Sequence, residues 1–438
     1  MKKGFVILLL ALAVIVLVSP GLVGRLAEES MDENLDWAAT ESQDLTITSQ
    51  GFERGWFSSE GQHRVELRDG DVRDALLMLA GDSGLGGLPA LIIDTRIDHG
   101  LVPVTSMARE KGTLLPGLGS AISTLRLEFE NGETIDIPGT IYSEVSLTGE
   151  LQSNLILEPG TFSDGDETAQ WGNVDVSITT SPSTNIISFK GDVDELAFVS
   201  PYSEVTIGPL RFHGAQQKTR HGFSVGDATF TIDRITMPSS WGQDSMGPIS
   251  FTSVVAIEDD ALSGRTTVQL NDLPLGDFGR ARIDMDISVD DIDAEAIGNI
   301  SRTLDDFGSY STEEEMRLAF EDDVMRLLAA GFELHVVQMD ITLQPGTVSA
   351  TLNVEVDDTD HDKFVWTSAL LALDVTLDLS VPAELMDYAI SLDPQVGAAV
   401  GMGFLRKNQG VYEMEATFKD GLLTINGAPM PVPWLSGN

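Results

Sequence analysis

The chain has 438 residues, 42% of them hydrophobic, with 26 basic and 69 acidic side chains and a formal charge of −43. So anionic a surface repels phosphate backbones and acidic headgroups, which excludes nucleic acid as a partner and electrostatic docking on anionic membranes. No cysteine is present, so disulfides, thiol nucleophiles, iron–sulfur clusters and zinc–thiolate centres are excluded as well.

Met1-Lys2-Lys3 precede an uncharged run from Gly4 to Gly24 rich in Leu, Val, Ile and Ala. As a helix this run is about 30 Å long, enough for one bilayer crossing. No Ala-x-Ala precedes a plausible cleavage point, so a retained signal anchor is favoured over a cleaved leader. Residues 1–3 then form a cytoplasmic tip, 4–24 the transmembrane segment and 25–44 an acidic juxtamembrane stalk, with the rest in the periplasm of a Gram-negative cell. An acidic surface with only eight lysines also suits a halotolerant source, where salt screens self-repulsion.

From Leu45 onward, alternation of apolar and polar residues dominates, as in Leu45-Thr-Ile-Thr, Leu125-Arg-Leu-Glu-Phe, Val145-Ser-Leu-Thr-Gly-Glu-Leu and Val174-Asp-Val-Ser-Ile-Thr. Period two with one apolar face predicts antiparallel sheet packed on one side and wet on the other. Turn signals at Asn131-Gly132, Asp164-Gly165 and Asp420-Gly421 punctuate it. A short helix is predicted from Asp71 to Ala80, and a second over Ala294–Phe307, with Ile297, Ile300, Leu304 and Phe307 on one face. Ser311-Thr312-Glu-Glu-Glu offers a capping box to a third, ending at Gly331. Two more follow Pro382 and Asp393-Pro394. The stretches Arg282–Ile297 and Ala372–Met386 share one pattern, an alternating strand running into an apolar-faced helix, which marks a duplicated structural unit.

The predicted fold is α+β and mainly β: an N-terminal transmembrane anchor, long antiparallel twisted sheets, and a few helices concentrated in the C-terminal half. Residues 45–280 make a β-rich body, and 281–438 a strand–helix repeat region with a C-terminal hairpin.

Chemical motifs fail on inspection. Gly81-Asp82-Ser83-Gly84 is like a serine-protease signature, but Leu85 replaces the second glycine of the oxyanion hole, and His63 lies in a strand without the usual context of a base. Asp358-x-Asp360-x-Asp362 opens like a calcium loop, yet Lys363 and Ala369 stand where glycine and a bidentate glutamate are needed. The six histidines form no ligand pair at helical spacing. No catalytic, cofactor-binding or metal residue is assigned.

The stretch Phe52-Glu53-Arg54-Gly55-Trp56-Phe57-Ser58-Ser59 can be read with Ile97-Asp98-His99-Gly100, the Ala294–Ile297 junction and the closing Lys419-Asp420-Gly421-Leu-Leu-Thr-Ile-Asn426-Gly427. Together they resemble the YdgA-like family of bacterial envelope proteins, a domain of unknown function, over nearly the whole chain after the anchor. Leu101 stands where that family has proline. A more distant likeness is to AsmA-like envelope proteins, whose β-rich bodies are proposed to carry lipid. The resemblance implies an inner-membrane-anchored periplasmic protein that self-associates, as a dimer, and hands on no catalytic residue. The motif positions Arg54, Gly55, Trp56, Phe57, Ser58, Ser59, His99, Gly100, Asp420, Gly421, Asn426 and Gly427 are the candidate interaction residues. The expected role is structural or protein-interacting within the envelope, without cofactor. The alternative is lipid binding in an apolar groove on a curved sheet; a filled core would favour the first and a continuous unfilled channel lined by Leu, Val, Ile and Phe the second.

Overall fold

The computed structural model describes residues 45–54, 58–68, 70, 73, 88–99, 117–129, 132, 134–164, 167–181, 183–200, 203–239, 242–305, 312–359 and 371–430. The predicted anchor and stalk, most of the helix expected from Asp71, and the Gly81–Leu85 turn lie outside them. No helix among the described residues is long and apolar enough to cross a membrane. The structure divides into two units, residues up to 217 with 230–244, and 218–229 with 245 onward.

The first stretch of chain forms β1 (Leu45–Arg54), β2 (Ser58–Leu67), β3 (Ala90–His99), β4 (Gly117–Glu128), β5 (Thr134–Ser146), β6 (Leu151–Leu157), β7 (Gly160–Asp164) and β8 (Glu167–Trp171). There follow β9 (Val174–Ser181), β10 (Ile186–Val193), β11 (Leu196–Ser200), β12 (Ser203–Ile207), β13 (Leu210–Lys218), β14 (Ser224–Ile232), β15 (Ile235–Ser239) and β16 (Gly242–Met246). In the first unit the order β1-β2-β3-β4-β5-β6-β9-β10-β13 is antiparallel throughout. A smaller sheet has the order β7-β8-β11-β12-β15.

The period-two pattern decides which residues face the core. Val65, Leu91 and Leu127 lie side by side in register, and so do Leu157, Val174 and Val193. These side chains cluster with Ala169, Leu196 and Phe198 of the smaller sheet into a closed apolar layer. Three cross-strand pairs oppose a glycine to a large side chain: Gly139 to Leu157, Gly160 to Trp171 and Gly191 to Phe212. In each the large group occupies the space of the missing Cβ, which at Gly191 would sit 2.2 Å from the Phe212 ring. Toward the motif end of the sheet hydroxyl side chains enter the inward rows among buried apolar ones such as Ile97, Ala121 and Ile178. Thr95 bonds Ser123 at 2.8 Å, and Ser143 bonds Ser153 at 2.7 Å.

One expectation fails locally. Val145–Leu151 alternates like a strand, but Val145 and Leu151 are cross-strand partners, and the chain between them is the β5–β6 hairpin. Gly149 takes φ 79° there, its N–H donates to the Ser146 carbonyl, and Leu147 is exposed. An apolar residue at a turn tip falls in phase with the strands by coincidence.

The second unit contains β17 (Ile249–Glu258), β18 (Ala261–Pro274), β19 (Arg280–Asp293), α1 (Ala294–Asp305), α2 (Glu313–Ala330), β20 (Phe332–Leu343), β21 (Gly346–Val356) and β22 (Leu373–Pro382). It continues through α3 (Ala383–Leu392), α4 (Pro394–Gly401), β23 (Arg406–Asn408), β24 (Val411–Lys419), β25 (Leu422–Ile425) and β26 (Ala428–Met430). The sheet runs β17-β18-β19-β20-β21-β22-β24-β25-β26, with β23 beside the start of β24.

The four helix starts predicted in the second unit are present. Thr312 caps α2 by accepting from the Glu315 N–H, and Asp393 caps α4 by accepting from the Gln395 N–H at 2.8 Å. The duplicated pattern is realised as β19 running into α1 and β22 into α3. Asp293 caps α1 through the Ala296 N–H and also takes the Arg326 guanidinium of α2, joining both helices to the strand end. Leu304, expected on the apolar face of α1, is 54% exposed. Because β19 and β22 are antiparallel, their helices emerge at opposite ends of the sheet.

Candidate functional site

Strand pairing brings two of the sequence motifs together in the first unit. Arg54 closes β1 opposite Ser59, while Ser58 and Ser59 lie opposite Asp98 and Ile97 of β3. His99 ends β3 opposite Gly119 of β4. Gly55, Trp56, Phe57 and Gly100 lie outside the described residues. Ser59 and His63 are both fully buried, but four residues along a strand separate them by about 13 Å. That distance precludes a serine–histidine proton transfer between the two.

The C-terminal motif sits in the second unit and makes turns. Asp420 (φ 51°) and Gly421 (φ 74°) form the two-residue β24–β25 link, and Asn426 (φ 52°) and Gly427 (φ 75°) the β25–β26 link. Both have the two positive φ angles that hairpin strand twist demands. Asn426 does more: its Oδ1 accepts from the Glu415 N–H, and its Nδ2 donates to the carbonyls of Gly403 and Phe404, all at 3.0 Å. It therefore ties the hairpin to the loop after α4.

Among the described residues no three His, Asp or Glu side chains converge as a metal site. The Asp360 and Asp362 positions of the calcium-like spacing lie outside those residues.

The two faces of the second sheet differ sharply. One is polar and internally satisfied. His335 bonds Asn353, Asn353 bonds Thr376, and Thr417 bonds Thr424 at 2.6 Å across neighbouring strands. Arg265 grips Asp286 and Arg282 grips Asp284, which holds both carboxyls below the usual carboxylate range. Lys419 forms an ion pair with Asp374 across neighbouring strands.

The other face is apolar. One register row runs Phe251, Val268, Met285, Met339, Ala350, Leu379 and Met414 across seven strands. Next to it run Ile287, Val336, Leu352, Leu377 and Ala416. At ~4.8 Å per strand the first row is about 29 Å long. Its side chains are half-buried or exposed, Phe251 at 38% and Met339 at 41%, whereas Leu157 and Val174 in the first unit are 1% exposed. Three methionines in one row give the surface soft, unbranched side chains that adapt to whatever lies on them. Alternation in the sequence revealed that this face is apolar, but carried no sign that it is incompletely covered.

No curated protein and no solved structure matches the chain. A family model does match, over residues 1–433, and by that match the chain belongs to the family described as bacterial protein of unknown function, DUF945.

Proposed function

We propose that the protein is a non-catalytic binding protein of the bacterial envelope, tethered to the inner membrane by its N-terminal apolar segment with its body in the periplasm. Its second unit offers the apolar sheet face to hydrocarbon, the acyl chains of a lipid. The observation that carries this reading is the partly uncovered Phe251–Met414 row. Leaving several large apolar side chains half in water costs on the order of 25 cal/mol per Å², and an apolar ligand laid along the row recovers that free energy. The row offers neither charges nor hydrogen-bonding side chains, whereas protein interfaces mix apolar cores with Arg, Tyr and a polar rim. The Lys2-Lys3 flank and the Gly4–Gly24 run support the tether. Phe52–Ser59 and Ile97–Gly100 support a closer kinship to YdgA-like proteins, and the AsmA-like likeness is in keeping with a lipid cargo.

A second reading is self-association. The long axis of the row and its continuity across strands also fit a two-fold contact with a second copy, as an isologous interface requires. Native mass spectrometry of the full chain extracted in a maltoside detergent, with lipid analysis, separates the two. Stoichiometric lipid that is lost in Met339→Asp supports the first reading, and a lipid-free dimer dissociated by the same change supports the second. A lipid-free monomer refutes both.

A further inference from the structure

Residues 394–405, α4 with the four that follow it, carry no charged side chain in a chain where 22% of residues are charged. A helix so uniformly apolar is normally buried, yet no residue of α4 is. Leu392 and Met402, at its two ends, are 68% and 63% exposed. On α3, Glu384, Tyr388 and Leu392 follow one another at four-residue spacing, so a single stripe turns from charged to amphipathic to apolar toward the α3–α4 turn. The Tyr388 ring meets Phe278 of the β18–β19 link edge to face at 5.1 Å, and Leu275 of the same link is exposed as well. The helix pair is held firmly at its base. Asp387 accepts from the Tyr412 hydroxyl at 3.0 Å and from the Lys407 ammonium at 3.3 Å. Gly397 of α4 lies so close to α3 that a Cβ there would stand 3.3 Å from the Ile390 side chain.

We propose that the α3–α4 hairpin docks on the surface of a zwitterionic phospholipid bilayer, with Leu392 and Met402 dipping below the headgroups and Tyr388 at their level. Removal of exposed apolar area from water drives the contact. A protein partner is held through shaped pockets and large anchors, whereas α4 offers glycine, alanine and two valines, a low relief suited to a fluid apolar phase. Tyrosine, with an apolar ring and a polar tip, belongs at the boundary of such a phase. Charge does not draw the hairpin to the bilayer. Arg406 and Lys407, which follow directly, stand opposite Glu413 and against Asp387, and a chain of charge −43 is repelled by anionic lipid. Insertion is shallow, because Asp393 lies in the turn, where it caps α4 and keeps its charge in water. The inference rests on the tethered reading above, since the stalk of residues 25–44 spans at most about 70 Å and so holds the body near a bilayer. It does not require the sheet face to carry lipid.

The chain lacks cysteine, so a single engineered thiol can carry an environment-sensitive fluorophore at Leu392→Cys, at Met402→Cys or, as a control of similar exposure in the same unit, at Leu422→Cys. Each full-length variant is reconstituted into phosphatidylcholine vesicles, with and without a lipid bearing a nitroxide just below the headgroup, and flotation checks the tether. Quenching several-fold stronger at positions 392 and 402 than at 422 is the expected result, and Leu392→Asp should abolish it for the probe at 402. Thermal melts check that the variants fold; should Leu392→Asp not fold, Met402→Ser read by the probe at 392 carries the same comparison. Equal quenching at all three positions overturns the proposal. So does a probe at 392 or 402 that is blue-shifted but unquenched, which marks a protein contact instead. A chain that does not float with the vesicles refutes the tether and this inference together, whereas flotation with unquenched probes refutes the inference alone. Met339→Asp leaves the quenching unchanged, so the outcome is separable from that at the sheet face.

Discussion

His335 and Asn353 stand directly opposite each other on β20 and β21, and the imidazole Nδ1–H donates to Asn353 Oδ1 at 3.0 Å. The other ring nitrogen donates to Glu333 Oε2 at 3.0 Å. With an acceptor on each side the ring is favoured in its doubly protonated form, and the Glu333 bond first, then the Asn353 bond, raise the His335 pKa above its ordinary value, with Asp290 adding a smaller attraction.

The sign of the resulting pH dependence follows. A histidine whose pKa is raised by folding stabilises the fold fully below its unfolded value of about 6.5, and that contribution is lost as pH rises through the higher folded value. Thermal midpoints of the wild type should therefore fall relative to His335→Gln as pH is taken from 6 to 9. The pair is partly exposed, so the effect is expected below about 1 kcal/mol. A constant difference between the two proteins across that range would contradict the assignment.

Asn426 is expected to be worth more than its turn. Asn426→Gly keeps a residue at ease with positive φ but removes the bonds to Glu415, Gly403 and Phe404. A loss of about 1–3 kcal/mol is predicted, read as a lowered urea midpoint at unchanged slope. Asn426→Ala adds backbone strain to the same loss and should be worse.

Gly191→Ala should destabilise the first unit although it adds only a methyl group. The new Cβ would meet the Phe212 ring at 2.2 Å, and displacing that ring from its place beside Phe189 costs about 1–3 kcal/mol, the usual range for overpacking. Combining it with Phe212→Ala should relieve the clash, so a double-mutant cycle with strongly non-additive energies is the expected result.

The filled and unfilled apolar layers should respond differently to truncation. Leu157→Ala removes a fully buried side chain and is predicted to cost about 2–5 kcal/mol. Met339→Ser, on the partly open face, should cost less than about 1 kcal/mol while reducing binding of an environment-sensitive hydrophobic dye. Equal costs at the two positions would mean that the second unit buries this face after all.

Much of the architecture was legible in the sequence because its signals are local. A period-two pattern marks strands whatever packs on them. The caps at Thr312 and Asp393 depend on a side chain and an N–H two or three residues apart, and the Asp420-Gly421 and Asn426-Gly427 turns depend on adjacent φ angles. The strand-into-helix repeat was visible for the same reason. The β5–β6 hairpin was missed because Leu147 kept the strand rhythm through a turn. Among the motif residues, pairing unites Arg54, Ser58 and Ser59 with His99 in one unit and leaves Asp420 to Gly427 in the other, a division no spacing announces.

By itself, then, the sequence determined the mainly-β class, the helix starts, the hairpin turns and which side of each strand is apolar. Tertiary structure alone decided which apolar sides are covered, that glycines oppose Leu157, Trp171 and Phe212, and that α4 is left without a buried residue. The physical reason is that pattern and propensity act over a few residues of chain. Burial and local charge balance depend on what non-local strand pairing places alongside, and that register is set by the whole sheet.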